Sequence, residues 1–333
     1  MSNRIIFAGL LVMLILFSLV QCGDDKSTGS DDEATTLDNR IVYSTRFDGL
    51  FLINSDGSGK KLLLDDDSCW ATIWSPDKTR VAFLRTIPGL GRQIQVVDTT
   101  TSTVQYIAYG DFDYNPWSPD GNTLVYDHNN GISIKALGSD SSVPVLSDAI
   151  DAVFLNNDTL ITLYSPSGNM DSTYLYRVAV DGSALTVLSD SSGYRYVKPR
   201  LSPDRTKIAY VRIPDTYADD FEIWLINVDG TGDELLAEIA HPVPCLTFSR
   251  DGANLFFVPN QGDDNKLYML DIASKIISNL TGFYCGDAEL GVDCAPDQNK
   301  LAVTLVSQGI GIVDYVNPVV VDTLDTLGFY PNW

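Results

Sequence analysis

The sequence predicts an all-β protein in which seven four-stranded antiparallel sheets close into a ring. Three observations predict this fold. A tight turn flanked by strand-forming residues recurs along the chain, its copies are spaced by 37 to 47 residues, and the two ends of the folded region each carry half of one copy. A period of about 40 residues with several strands in each unit is the signature of a propeller blade.

The recurring turn is clearest in the segment NPWSPDGNTLVYD, residues 115 to 127. Ser-Pro-Asp-Gly suits a type I turn, because proline presets φ at the second position and aspartate tolerates the third. The β-branched, aromatic and aliphatic residues on either side favour strands, so each copy predicts a β-hairpin. A type I turn only prefers glycine at its fourth position, so the copies with Lys78, Arg205 or Gln298 there are expected to keep the turn.

Seven copies can be placed, each marked by a residue at the end of its first strand. These residues are Trp74, Trp117, Phe154, Leu201, Phe248, Cys294 and Trp333. After each hairpin comes an alternating strand, an Asp-Gly or Ala-Ser turn and a short outer strand, which brings each unit to four strands, A to D. In a ring, each sheet buries both faces against its neighbours, and the tryptophans are expected to pack between blades.

The two ends of the folded region predict how the ring closes. The chain ends with FYPNW at Trp333, which is the strand-A half of the repeat, and the folded region begins with NRIVYS at residue 39, the strand that should follow the turn. The C-terminal strand is therefore expected to complete the N-terminal blade. We predict a seven-bladed β-propeller over residues 40–333, which allots 42 residues to each blade (294/7).

These repeats resemble the TolB-like propeller family, whose blades carry the pattern W-S-P-D-G-x-x-[IL]-A-[FY]. The resemblance covers nearly all of residues 40–333, with two close copies, three partial copies, one degenerate copy and one split copy. It implies the fold but says little about function, because this repeat serves scaffolds, binding proteins and the propeller domains of peptidases. TolB has an additional N-terminal α/β domain where this chain has a short acidic segment, so TolB's own partners do not carry over.

The first 39 residues predict export and anchoring. Arg4 precedes the apolar run IIFAGLLVMLILFSLV, which is too short for a comfortable membrane span, so residues 1–21 are predicted to be a secretory signal peptide. LVQC before GDDK resembles a lipobox, which makes Cys22 the expected lipidation site of a periplasmic, outer-membrane or cell-surface lipoprotein. An uncleaved N-terminal anchor is the alternative. Residues 22–39 are acidic and lack apolar periodicity, which predicts a flexible tether.

The net charge of −22 restricts the classes of partner. Nucleic-acid binding is not expected, because the sequence has no basic stripe that could displace counterions from phosphates. Membrane contact is expected only through the N-terminal lipid, whereas cationic partners and divalent cations are electrostatically favoured. No cofactor is predicted, and whether a metal binds is left open.

Four cysteines remain besides Cys22, and an exported compartment permits disulfides. Cys285 and Cys294 are nearest to each other in the sequence and form the candidate disulfide, although four cysteines allow three pairings. The alternative is that all four are buried free thiols, since cysteine is a common buried residue.

No recognisable catalytic motif is present. The chain has two histidines, His128 and His241, and lacks G-x-S-x-G, H-E-x-x-H, a Walker loop and G-x-G-x-x-G. Propeller peptidases need a separate catalytic α/β domain, and propeller lyases hold their metal with several histidines. We therefore expect a non-catalytic binding or scaffold module of the cell envelope. The alternatives are an accessory enzyme and a divalent-cation-dependent receptor with a carboxylate site at the channel mouth.

The predicted binding surface is the face formed by the B–C and D–A loops, here called the long-loop face. These loops are long and varied, whereas the A–B and C–D turns on the opposite face are short and stereotyped. Function tends to reside on loops held by a rigid scaffold, and aromatic and acidic side chains supply contact area and hydrogen bonds to a protein or glycan partner. The alternative is that these acids are solvated loop tips above packed aromatics.

The predicted contacts on this face are Trp70, Asp111, Asp113, Tyr114, Tyr194, Arg195, Tyr196, His241, Tyr284 and Asp287. Among them, Tyr114, Tyr194 and Tyr196 come just before an innermost strand, so they are expected to lean over the central opening. Arg195, between two tyrosines in an acidic protein, is a candidate for contact with an anionic group, and a salt bridge to a loop aspartate is the alternative.

Overall fold

The computed structural model of the protein describes residues 39–45, 48–112, 114–169, 172–189, 193–215, 221–260, 265–280, 292–295, 299–305, 309–317 and 319–333. This part of the chain is all-β and forms seven antiparallel sheets. The inner strands of successive sheets contact one another in order around a ring. The predicted seven-bladed propeller is thereby confirmed. The predicted signal peptide, Cys22 and residues 23–38 of the tether lie outside the described residues.

In the first four blades the strands run outwards from the centre. Blade 1 consists of β27 (Gly328–Asn332), β1 (Arg40–Thr45), β2 (Gly49–Asn54) and β3 (Lys61–Leu64). Blade 2 consists of β4 (Cys69–Trp74), β5 (Arg80–Ile87), β6 (Gly91–Asp98) and β7 (Val104–Tyr109). Blade 3 consists of β8 (Thr123–Asp127), β9 (Gly131–Ala136) and β10 (Val143–Ser147). Blade 4 consists of β11 (Ala149–Asn156), β12 (Thr159–Tyr164), β13 (Tyr174–Ala179) and β14 (Thr186–Ser189).

The remaining three blades each have four strands in the same order. Blade 5 consists of β15 (Tyr194–Leu201), β16 (Lys207–Pro214), β17 (Phe221–Asn227) and β18 (Glu234–Ile239). Blade 6 consists of β19 (Cys245–Phe248), β20 (Asn254–Val258), β21 (Tyr268–Asp271) and β22 (Ile277–Asn279). Blade 7 consists of β23 (Val292–Cys294), β24 (Lys300–Leu305), β25 (Gly309–Asp314) and β26 (Val319–Asp325). No helix in the described part of the chain is long and apolar enough to cross a membrane.

Blade 3 departs from the predicted four strands. Its innermost segment forms two isolated bridges to β8, Asp111 with Asp127 and Trp117 with Leu124, instead of a continuous strand. Pro116 lies in this segment and has no N–H to donate to a ladder. The N–H of Trp117 turns to the side-chain oxygen of Asn115, at 3.0 Å. The segment therefore keeps its place at the centre of the blade with fewer backbone hydrogen bonds.

A pair of serine hydrogen bonds explains the recurring turn. The Ser75 hydroxyl donates to a carboxylate oxygen of Asp77 at 2.5 Å and accepts the backbone N–H of Arg80 at 3.0 Å. The same two bonds recur at Ser118, Ser202 and Ser249. In these three turns the serine hydroxyl holds the pKa of the turn aspartate below its ordinary value. The carboxylate therefore stays ionised and keeps the hairpin closed at neutral pH.

The fourth turn position has a backbone conformation that favours glycine more strongly than we predicted. Its φ is +56° at Lys78, +59° at Arg205, +71° at Gly121 and +73° at Gly252, in the left-handed region that suits glycine. A lysine or arginine there costs about 1 kcal/mol of backbone strain. Both side chains bond the preceding blade in return, because Lys78 Nζ donates to the main-chain oxygen of Trp333 at 2.5 Å and Arg205 Nη1 donates to the carbonyl of Phe154 at 2.9 Å.

The tryptophans of the repeat pack between blades, as predicted. Trp74, Trp117 and Trp333 are each 2–3 % exposed. Trp74 belongs to a core cluster with Val42 of blade 1, and Trp117 donates its indole N–H to the carbonyl of Ile73 in blade 2 at 3.2 Å. Burial of one such side chain contributes roughly 1.5–3 kcal/mol. Blades 1, 2 and 3 are thus each held by a tryptophan that packs against the neighbouring blade.

The ring closes in blade 1 as predicted. Strand β27 pairs antiparallel with β1, with Thr45 opposite Gly328 and Val42 opposite Asn332. Trp333 then packs into a cluster with Ile41 of blade 1 and with residues of blade 7. The two ends of the folded region therefore share one sheet.

Candidate functional site

A central cavity of about 630 Å³ opens at the face of the A–B turns, opposite the long-loop face. Every blade contributes to its wall, and the wall includes the marker residue of each repeat, from Trp74 around the ring to Trp333. Turn residues such as Pro76 and Pro203 form its rim. The volume lies within the range of small-ligand sites. We call this the central cavity.

Three basic side chains from three blades line the central cavity, namely Lys78, Arg205 and Arg250. Asp293 is the one carboxylate among its described lining residues. Arg250 is exposed, and its charge attracts the buried carboxylate of Asp293. Arg205 bonds the backbone carbonyls of Phe154 and Leu155 at 2.9 and 3.1 Å. The cavity is therefore a basic site in a chain whose net charge is −22.

Asp293 is committed to the closure of the ring. One carboxylate oxygen accepts the backbone N–H of Trp333 at 2.8 Å and the side-chain N–H of Asn332 at 2.7 Å. The other accepts the backbone N–H of Cys294 at 2.9 Å. Burial raises the pKa of Asp293 above its ordinary value. This acid therefore ties β27 to β23, and its carboxylate also attracts the charges of Lys78 and Arg250.

Tyr114 lies inside the ring and not over the opening of the long-loop face as we predicted. It lines both the central cavity and a second cavity of about 40 Å³ deeper in the channel. The Arg200 guanidinium carbon is 4.1 Å from its ring centroid, and Arg200 Nε donates to the carbonyl of Leu246 at 3.0 Å. Burial raises the pKa of Tyr114. The stacked pair forms part of the wall of the second cavity.

On the long-loop face, two of the predicted contacts lie together where blades 2 and 3 meet. Arg92 bridges them, because its guanidinium carbon is 4.9 Å from the ring of Trp70 and it forms an ion pair with Asp111. Asp111 and His128 line a shallow groove of about 510 Å³. His241 is exposed in the loop between β18 and β19. Trp70 and Asp111 are thus partly occupied by a neighbouring side chain.

Strand β15 places the predicted Tyr-Arg-Tyr contact differently from our expectation. Tyr196 is completely buried and stacks on Tyr210 with ring centroids 5.3 Å apart, so the prediction that it leans over the opening is wrong. Tyr194 packs on the same side and lies 3.5 Å from Glu222 through its hydroxyl. The strand already begins at Tyr194, and its alternation turns both tyrosines between blades and Arg195 to the other side.

Several predicted residues lie outside the described part of the chain, namely Asp113, Tyr284, Cys285 and Asp287. Cys294, the proposed disulfide partner of Cys285, carries a free thiol, as do the buried Cys69 and Cys245. Burial raises the pKa of Cys69 to about 12, so its thiol is unreactive at neutral pH. Among the described residues, no group of three or more His, Cys, Asp or Glu side chains is placed to hold a metal ion.

Sequence reasoning missed the basic residues of the central cavity, although they leave a signal. Arg250 stands at the proline position of its Ser-x-Asp turn, and Lys78 and Arg205 stand at the glycine position of theirs. In an acidic protein, several of these turns carry a cation at a position that favours proline or glycine. Because the turns surround one axis in a propeller, such cations are expected to line one site.

Comparison with known proteins bears on the fold. No family model matches the chain, and no curated protein sequence matches it. An oligogalacturonate lyase in complex with manganese is similar in structure, at 14 % identity and a TM-score of 0.63, over 80 % of this chain and 83 % of the lyase. TolB from Acinetobacter baumannii is similar at 19 % identity and a TM-score of 0.54, over 73 % of this chain and 64 % of TolB.

A puromycin hydrolase also matches, at 15 % identity and a TM-score of 0.63, over 77 % of this chain. The match spans only 46 % of that enzyme's length. Because all these identities are below 20 %, the similarity establishes the fold and leaves the activity open. The chain has the fold of the TolB-like seven-bladed propellers.

Proposed function

We propose that this protein is a non-catalytic binding module that holds a protein or glycan partner of the bacterial cell envelope. The central cavity is the observation that carries this proposal, because it has the size of a ligand site and a distinct charge. Its described wall has no histidine, and its one carboxylate accepts three N–H groups, so neither a general base nor an activated nucleophile supports catalysis there.

This proposal moves the binding surface from the long-loop face to the face of the A–B turns. Of the three tyrosines that we chose for the long-loop face, Tyr196 is core and Tyr114 lines the interior channel. The central cavity instead gathers side chains from all seven blades. A site of that kind is rigid, since each wall residue is held by its own sheet.

Leu201→Trp tests the site. Leu201 lines the cavity at the repeat position where three other blades carry tryptophan, so an indole there is expected to fill the cavity while the ring folds. We expect capture of the partner from a solubilised envelope extract to weaken at least about tenfold, or ~1.4 kcal/mol. Quantitative pull-down, with bound proteins and saccharides identified by mass spectrometry, measures the effect.

Leu90→Trp is the matched control, because Leu90 is 64 % exposed in the groove of the long-loop face. It makes the same change in size on the opposite face and is expected to leave capture unchanged. If Leu90→Trp weakens capture and Leu201→Trp does not, the partner binds the long-loop face. Circular dichroism of both variants verifies that the ring is folded.

We also propose that lipid on Cys22 anchors the module to a membrane outside the cytoplasm, on the strength of the lipobox-like LVQC and the apolar run before it. Cys22→Ser is expected to move the protein from the membrane fraction to the soluble fraction or to leave an unprocessed precursor. Fractionation and fatty-acid labelling measure both results. Gln21→Ala is the control, since a small residue before the cysteine should keep processing intact. Full membrane retention and normal processing of Cys22→Ser would refute lipidation.

A further inference from the structure

We infer that the central cavity is an anion site for an organic ligand that bears carboxylate groups. This inference rests on the proposed binding function and names the chemistry of its ligand. The cations Lys78, Arg205 and Arg250 come from blades 2, 5 and 6 and meet around one opening. A cluster of this kind is unexpected in a chain with 22 basic and 44 acidic residues.

One acidic side chain, Asp293, stands among the described lining residues beside three cations, and it attracts Lys78 and Arg250. The Asp293 carboxylate accepts hydrogen bonds from three N–H groups, and burial raises its pKa. The turn aspartates Asp204 and Asp251 lie next to the arginines in sequence, but they do not line the cavity and each accepts hydrogen bonds from its own turn. Among the described lining residues, the three cations therefore outnumber the one acidic side chain.

Arg250 is the expected anchor of the ligand. Arg250 is exposed and attracts the buried carboxylate of Asp293, and it stands where four other turns of this repeat carry proline. A guanidinium presents parallel N–H groups that match the two oxygens of a carboxylate. Lys78 and Arg205 are already oriented by bonds to main-chain oxygens of the preceding blades, so both cations hold fixed positions in the cavity wall.

The size and walls of the cavity favour an organic acid over an inorganic anion. About 630 Å³ is many times the roughly 30 Å³ that a water molecule occupies, and three tryptophans and two phenylalanines contribute apolar surface. Aromatic surface beside a few placed cations suits a carbon skeleton that carries carboxylates. Because the cavity opens on one face, the acid is either a free molecule or part of a sugar chain that extends outwards.

The test is isothermal titration of the folded protein with citrate and with trigalacturonate at low ionic strength. Saturable binding of either probe is expected, and citrate alone would indicate a free polycarboxylic acid whereas preference for trigalacturonate would indicate an acidic sugar chain. Arg250→Gln should weaken binding about tenfold or more, since it removes a charge-assisted hydrogen bond. Raising the salt concentration to 0.2 M should weaken binding further, because screening acts on an open site.

Lys275→Gln is the matched control, because it removes the same charge from an exposed lysine that pairs with Glu234 away from the cavity. It should bind the probes as the unmodified protein does. The inference is overturned if neither probe binds, if Arg250→Gln and Lys275→Gln have equal effects, or if inorganic phosphate or neutral maltotriose binds as tightly as the acids. Should Leu201→Trp abolish partner capture while the acids fail to bind, the binding function stands and the anion site falls.

Discussion

Deletion of residues 328–333 is expected to prevent the propeller from closing and to remove its cooperative thermal unfolding at the original temperature. The deletion removes β27 from the β1 edge and takes Trp333, 3 % exposed, out of the contact between blades 1 and 7. Loss of a buried tryptophan alone costs about 3–5 kcal/mol, a large share of the ~5–15 kcal/mol that stabilises a domain. Circular dichroism during heating measures the change.

Trp333→Ala separates the side chain from the strand. It keeps the backbone pairing of β27, so its melting temperature should fall less than that of the deletion. Leu327→Ala is the control, because Leu327 is 47 % exposed next to the same strand and its truncation should leave the melting temperature nearly unchanged. A deleted protein that melts like the full chain would show that the ring closes without β27.

Asp293→Ala is expected to destabilise the fold by about 3 kcal/mol or more. It leaves two backbone N–H groups and the Asn332 amide without their acceptor, and each unpaired buried donor costs about 1–3 kcal/mol. The free energy of unfolding of Asp293→Asn should lie between those of the unmodified protein and Asp293→Ala. The single carbonyl oxygen of asparagine can accept at only one of the two oxygen positions, and its NH₂ group then faces a donor. Urea unfolding measures both values.

The control for Asp293 is Asp158→Asn, at an exposed position of the β11–β12 turn in blade 4, away from the contact between β27 and β23. This change should alter the unfolding free energy by no more than about 0.5 kcal/mol. If Asp293→Ala is equally mild, water replaces the carboxylate without cost, and Asp293 is not the tie between β27 and β23.

The blades could be predicted because residues close together in the sequence determine the turn of each blade. The Ser-x-Asp turn forms its own hydrogen bonds, as at Ser202 and Asp204, and its recurrence fixes the number of units. The inner segment of blade 3 was less predictable. Its marker Trp117 obeys the repeat, whereas the nearby Pro116 weakens the strand. Whether a segment completes a ladder depends on the neighbouring strand as well as on its own residues.

The site was harder to predict because no local stretch contains it. Loop length directed attention to the long-loop face, but the basic cavity is assembled from single residues of distant turns, such as Lys78 and Arg250. The prediction for Tyr196 was wrong for a more local reason. We expected Tyr196 in a loop before the strand, but β15 already begins two residues earlier. An error of two residues in a strand boundary is enough to place a buried side chain on a loop.

The shared blade also determines when the fold can be completed. The Ser44 hydroxyl and the Phe329 carbonyl, which meet between β1 and β27, are 285 positions apart in the chain. During synthesis the first strands therefore have no inner neighbour until the last strand has been made, and the entropy of closing so long a loop has to be met before the contact forms. A growing chain of this topology stays open until β27 has been made, and closure of the ring is a late step of folding.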